Sequence, residues 1–213
     1  MEINEFDPMH RWFDLCHRNN VHIRAATQMC QQLIDSYNES QRYYHTLSHI
    51  HECLNLLDSF SLDQNDRDTV EYAIWFHDII YDPTSDSNEK QSATIAKTWL
   101  VTQGINTAID VATLILQTAN YDSDPPIGHI ESILHDLDLH ILGSPANQYL
   151  DYATNIRSEY QHLNNNAFFA GRRKFLQSLI SRKGIYATDG FQELFEEQAM
   201  KNIKTELLRI EKF

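Results

Sequence analysis

The chain predicts an all-α fold, a single-domain helical bundle spanning residues 1–213. Three observations carry that expectation. Apolar residues recur at steps of three and four along most of the chain, the period of a helix with one buried face. Strict apolar/polar alternation, the mark of a half-buried strand, is nearly absent, and no internal repeat is found. Five Pro and six Gly in 213 residues leave little room for linkers or low-complexity segments. That length suits one domain with a sizeable core, and 42% hydrophobic with 22% charged residues is an ordinary soluble balance.

Taken in order, Phe6, Met9, Trp12, Phe13 and Cys16 predict a first helix. Ile23, Ala26, Cys30, Leu33, Ile34 and Tyr37 predict a second, and Asn38-Glu39-Ser40 breaks the pattern. A third helix is expected over 46–60, carrying His49, Cys53, Leu54 and Leu57 on its apolar side. A fourth is expected over 68–81, stopped by Pro83. Asp86 and Glu89 have the spacing of a reciprocal N-terminal cap for a helix over 89–103. Gly104 separates it from another over 106–119, and residues 121–128 read as a loop. A helix over 130–142 is closed by Gly143-Ser144-Pro145. Two amphipathic helices over 146–160 and 167–181, a turn at 184–190 and a final helix over 191–213 complete the chain.

Charge and composition narrow the function. Thirty acidic against 17 basic residues give a net charge of −13, a field that repels long DNA or RNA. A small phosphate ester is compatible with it, because a metal and two or three basic groups reverse the sign locally. Cys16, Cys30 and Cys53 lie in helical patterns without CxxC spacing, as expected for free thiols in a reducing compartment. The start, MEINEFDPMHRWFD, has neither the basic nor the apolar region of a secretory signal. No apolar run approaches a membrane span. The expectation is a cytoplasmic protein with no membrane partner.

One stretch demands a chemical explanation. Residues 73–83 read AIWFHDIIYDP, so His77 and Asp78 interrupt an apolar run. Burying an imidazole or carboxylate costs several kcal/mol unless it is paired. A divalent metal would satisfy both, and so would local hydrogen bonding in a core. Upstream lie His45, His49 and His51; downstream lies His135-Asp136-Leu137-Asp138. One His, a His-Asp pair about thirty residues on, and an Asp about sixty beyond make an ordered set. On an ideal helix His51 sits about 200° from His49 and is expected to point elsewhere. Asp136 and Asp138 are likewise about 200° apart, so both cannot readily bind one ion. Asp138, four from Leu134 and three from Ile141, falls on the apolar face; Asp136 falls toward its edge and is kept as the alternative.

The order of these residues, with the segments YHTLSHI, WFHDIIYDP, SNEKQSA, DLDLHILG and IRSEY, resembles the HD superfamily of metal-dependent phosphohydrolases. It looks closest to stand-alone bacterial members of about this length. The resemblance covers residues 40–210, with the metal-site core at about 40–160. It implies an HD-type helical bundle and His49, His77, Asp78 and Asp138 as metal ligands. Mixed nitrogen and oxygen donors suit Mn, Co, Ni, Fe or Zn better than Mg or Ca. The implied reaction is hydrolysis of a nucleotide or other small phosphate ester by metal-activated water. Asp82, Glu89 and His45 are candidates for acid–base or substrate roles, with helix capping as the alternative for Glu89. Arg42 and Arg157, the latter within IRSEY, are candidates for the substrate phosphate. The chain departs from the family after Thr118, where relatives tend to place a His and this chain has Ala119-Asn120-Tyr121. Two other readings are a regulatory module that keeps the metal without turnover, and a diiron oxygenase. The second needs additional His ligands, and His129 and His135 lie within ten residues of Asp138, poor spacing for another cluster.

Overall fold

The computed structural model describes residues 8–119, 121 and 124–211. Its described residues form ten α-helices and one 3-10 turn, with no strand. Backbone contacts divide the chain between Leu116 and Gln117 into two compact units. Phe6 and Phe213, residue 120, and residues 122 and 123 of the 121–128 loop lie outside the described residues, as does the start of the N-terminal segment. None of the described helices is long and apolar enough to cross a membrane.

The first unit contains α1 (Pro8–Arg18), α2 (Ile23–Tyr37), α3 (Leu47–Leu57), α4 (Gln64–Phe76), α5 (Asn88–Thr102) and α6 (Ala108–Gln117). Its centre is Trp12 on α1, fully buried, whose indole N–H donates to the Ala26 carbonyl of α2 at 2.9 Å. Around that ring pack Tyr72, Trp75 and Phe76 of α4 and Trp99 of α5, with the three α4 rings edge-on. Aromatic pairs of this kind add about 0.5–1.5 kcal/mol each beyond their burial. Residues 68–77 are all buried, including two carboxylates. Glu71 accepts from Arg11 Nε at 3.0 Å and Arg18 Nη2 at 2.9 Å. Asp68 takes Arg18, Asn19 and Gln64. Periodicity reads only apolar positions, so this ionic network was not visible in it. Gly104 ends α5 at φ +73°, a left-handed conformation that strains any side chain. All three cysteines are buried thiols outside any disulfide, and burial, with Cys30 nearby, pushes the Cys16 thiol up to about 12.

The second unit contains α7 (His129–Leu139), a 3-10 turn (His140–Gly143), α8 (Ala146–Glu159), α9 (Asn165–Ile180) and α10 (Asp189–Ile210). The 3-10 turn is its hub, packed by α7, α8 and α10. Gly143 must be glycine there: an added Cβ would lie 2.6 Å from Phe195 Cβ and 2.8 Å from the Tyr186 hydroxyl. Asn202 of α10 donates to the Leu142 and Ser144 carbonyls at 2.9 and 2.8 Å, satisfying the end of the turn. Arg172 of α9 bridges both Glu206 oxygens at 2.9 and 3.1 Å and also donates to the Tyr152 hydroxyl.

Four local expectations need correction. The fourth helix ends at Phe76, not 81, so His77 is its C-terminal cap and Asp78 lies beyond it. The third spans Leu47–Leu57, which leaves His45 outside any helix. The 130–142 helix stops at Leu139 and tightens into the 3-10 turn. Asp86 and Glu89 form no reciprocal cap; Ser87 occupies the N-cap without a side-chain capping bond, its hydroxyl being engaged with Ser85 Oγ and Gln91 Nε2, while Asn88 pairs with the backbone of Asp82.

Candidate metal centre

In the first unit, the buried side of α3 is Ile50, Cys53, Leu54 and Leu57, and His49 lies on it, 1% exposed. His77 reaches the same place from the end of α4. Its backbone N–H donates to Ala73 at 2.9 Å, and its ring Nδ1 lies 2.9 Å from the Ile74 carbonyl. A carbonyl only accepts, so His77 Nδ1 carries a proton and a neutral ring presents Nε2 as a lone pair. That Nε2 is 3.2 Å from His49 Nε2 and 3.1 Å from Asp78 Oδ2. Two imidazole nitrogens and a carboxylate oxygen therefore converge in one buried place. Lone pairs at that separation repel unless a proton or cation lies between them. His49 and His77 belong to a group whose ligand atoms could hold a metal ion, and mixed N/O donors here fit the transition metals expected from the sequence.

Arg42 shapes the turn that carries Asp78. Its buried guanidinium donates to Asp78 O at 2.7 Å, Ile79 O at 3.1 Å, His45 O at 3.2 Å and Glu39 Oε2 at 3.0 Å. The rings of Tyr37 and Tyr81 lie on it at 5.1 and 5.3 Å. The stop of α4 lies one turn earlier: the Ile74 carbonyl faces His77 Nδ1 and the Trp75 carbonyl accepts from the Tyr37 hydroxyl, the two acceptors that Asp78 and Ile79 would need to continue the helix, and Arg42 then holds the turn that follows. Read in the sequence as a phosphate contact, Arg42 has its guanidinium committed to protein acceptors. Tyr37, beneath it, donates to Trp75 O at 3.0 Å; burial, reinforced by the nearby Asp78 charge, raises its pKa well above the usual range.

The other first-unit candidates surround this turn. His45 is half-buried and stacked on Tyr81 at 4.3 Å, its ring centre 6.1 Å from that of His49. Asp82 is exposed and not one helical turn past Asp78, since the chain there is not helical; its Oδ1 accepts from Thr84 N and Oγ1 in a local turn. Glu89 is half-buried in the first turn of α5. Tyr44, not singled out in the sequence, sets its hydroxyl 3.2 Å from His49 Nδ1. Its signal was only its place in YHTLSHI.

In the second unit the two acids of α7 behave differently. Asp136 is fully buried. Its Oδ1 accepts from Ala187 N at 2.7 Å and contacts His135 Nδ1 at 3.0 Å; its Oδ2 accepts from Thr188 N and Oγ1 at 2.8 and 2.6 Å. Both oxygens thus pin the turn that opens α10. Asp138 is half-buried, and the Tyr121 hydroxyl donates to its Oδ2. The sequence-based ordering, Asp138 in the core and Asp136 at its edge, is reversed in burial, because residues 132–137 are buried all round and leave α7 no single apolar face. Arg157, read as a phosphate contact, donates to Tyr160 O, Leu163 O and Asn165 Oδ1 and lies over the Phe168 ring, tying α8 to α9.

Comparison with family models, with curated proteins and with solved structures finds no match to this chain.

Proposed function

We propose that this chain is a metal-dependent phosphohydrolase of the HD type, acting on a nucleotide or another small phosphate ester. Its ligands in this reading are His49, His77 and Asp78, with Asp138 assigned as the fourth from the sequence order. The observation that carries the reading is the 3.2 Å approach of the His49 and His77 Nε2 atoms beside Asp78 Oδ2. Two buried ring nitrogens beside a carboxylate oxygen make a mixed donor set of the kind a divalent cation uses.

The chain's own groups have definite parts. The Ile74 carbonyl holds the His77 proton on Nδ1 and so aims Nε2 inward. Arg42 fixes the backbone of Asp78 and keeps its carboxylate beside His77. Bound there, a divalent cation supplies Lewis acidity, lowering the pKa of water and polarising a phosphoryl oxygen. A leaving alkoxide needs a proton donor, and His45, Asp82 and Glu89 are the candidates read from the sequence. The net charge of −13 favours a small phosphate ester over a polyanion.

The test is a nucleotide library offered to purified, metal-reconstituted chain, with released phosphate and pyrophosphate measured separately. Metal-dependent release that Asp78→Asn abolishes supports the proposal. Bound metal with no release from any substrate makes the chain a metal-binding regulatory module instead. A chain that retains no divalent metal overturns the reading.

A further inference from the structure

We propose that Arg182 is a substrate-binding residue whose guanidinium takes non-bridging oxygens of the substrate phosphate beside Asp138. The inference rests on the functional reading above, in which Asp138 is a ligand by sequence order, and names the basic group of that site. A phosphate bound to an ion on Asp138 lies within a side chain's length of that carboxylate, so its basic partner has to come from the same neighbourhood. Arg42 and Arg157, the two arginines read from the sequence for this task, are committed to protein acceptors. Elsewhere in the second unit, Arg172 is matched by both oxygens of Glu206, and Arg173 donates to the Ile210 carbonyl at the end of α10.

Arg182 is placed differently. It follows the end of α9, half-buried, and its side chain reaches α7. Its Nη1 lies 3.5 Å from His135 Nε2, and its guanidinium carbon lies 6.0 Å from the centre of the Tyr121 ring. That ring packs on the His135 imidazole, with centres 5.4 Å apart, and its hydroxyl donates to Asp138 Oδ2. Arg182, His135, Tyr121 and Asp138 are therefore one contiguous cluster within the second unit. The turn that carries Arg182 is anchored on both sides. Asp136 of α7 accepts from the Ala187 and Thr188 N–H groups, and Glu196 of α10 accepts from those of Ile185 and Tyr186. An arginine on an anchored turn loses less freedom on binding than one on an open surface. Its planar fork of N–H donors matches two phosphate oxygens at once, which a point charge cannot do. In a chain of net charge −13, such a contact supplies the local change of sign that a phosphate ester needs.

The experiment uses the full chain reconstituted with Mn2+, with inorganic phosphate as the probe. Mn2+ content is measured by elemental analysis, helix content by circular dichroism and phosphate affinity by calorimetry, for wild type, Arg182→Gln, Arg182→Lys and Lys183→Gln. Lys183, its side chain 91% exposed and 3.9 Å from Asp124, controls for the loss of one positive charge. Metal and helix content should match wild type in all three variants. Phosphate affinity is expected to fall about 10- to 100-fold in Arg182→Gln. Arg182→Lys should fall between, because an ammonium keeps the charge and loses the fork. Lys183→Gln should stay within about twofold of wild type. The proposal is overturned by an Arg182→Gln affinity within about twofold of wild type, or by an equal loss in Lys183→Gln. Loss of helix or metal content in Arg182→Gln and Arg182→Lys alike makes Arg182 a structural residue and overturns it too. A wild-type chain that takes up no Mn2+ sinks the functional reading; one that takes up Mn2+ and binds phosphate without regard to Arg182 sinks this inference alone.

Discussion

The chain contains the dipeptide His-Asp twice, and the two copies are used in opposite ways. His77-Asp78, in the first unit, turns its ring nitrogen toward a second imidazole at 3.2 Å and its own carboxylate at 3.1 Å. His135-Asp136, in the second, turns its carboxylate to two backbone N–H groups and a hydroxyl at the start of α10. Both dipeptides are helical or helix-terminal and both are largely buried. The difference lies in what faces them. Donors already supplied by the fold make a carboxylate structural, because its lone pairs are spent and any cation would have to displace N–H groups. Ring nitrogens and a carboxylate oxygen drawn together offer donors that a cation could use. Residue type alone therefore does not identify a ligand; the complement of donors and acceptors around it does.

The largest expected effect separates the two copies on metal content. His77→Ala should leave the chain without measurable bound metal by elemental analysis, since it removes one of two converging nitrogens. His135→Ala should retain wild-type metal content. If both variants retain metal, or both lose it, the distinction drawn here collapses.

Stability should invert that order. Asp136→Asn replaces an acceptor oxygen by an N–H2 group that faces donors, leaving at least one buried N–H or O–H of Ala187 or Thr188 unsatisfied. A loss of about 2–4 kcal/mol in urea unfolding is expected. Asp78→Asn, on a half-buried side chain, should cost under about 1 kcal/mol. Equal losses for the two would mean that Asp136 is not the structural acid of the pair.

Arg42→Lys gives a smaller effect than Asp136→Asn and sharpens the first-unit side of the comparison. Lysine keeps the charge but cannot span the Asp78, Ile79 and His45 carbonyls at once. A stability loss of about 1–3 kcal/mol is expected, together with weaker metal binding through the displaced Asp78. A variant that loses stability while binding metal at wild-type affinity would confine Arg42 to holding the fold.

Much of this was legible before any coordinates. The ten helices follow from three- and four-residue periodicity and from breakers such as Gly104, because helix formation is governed by residues within a turn or two of one another. The unusual placing of His77 and Asp78 in an apolar run was equally local, and it identified the place to look. Asp136 and Asp138 were harder. A wheel projection assumes one buried face, and α7, buried nearly all round, has none.

What the sequence by itself determined is thus the helical class, the approximate element order and the residues that carry ionisable chemistry. Only the tertiary structure decided that α4 ends at Phe76, since the Trp75 carbonyl that Ile79 would use accepts from Tyr37 and the turn that follows is held by Arg42, both far away in sequence. It also decided that Asp136 is spent on the backbone of residues 187 and 188, and that Tyr44 meets His49. The physical reason is common to all three. Hydrogen bonds between distant segments satisfy specific atoms, and neither hydrophobic period nor residue spacing records which donor will arrive opposite which acceptor.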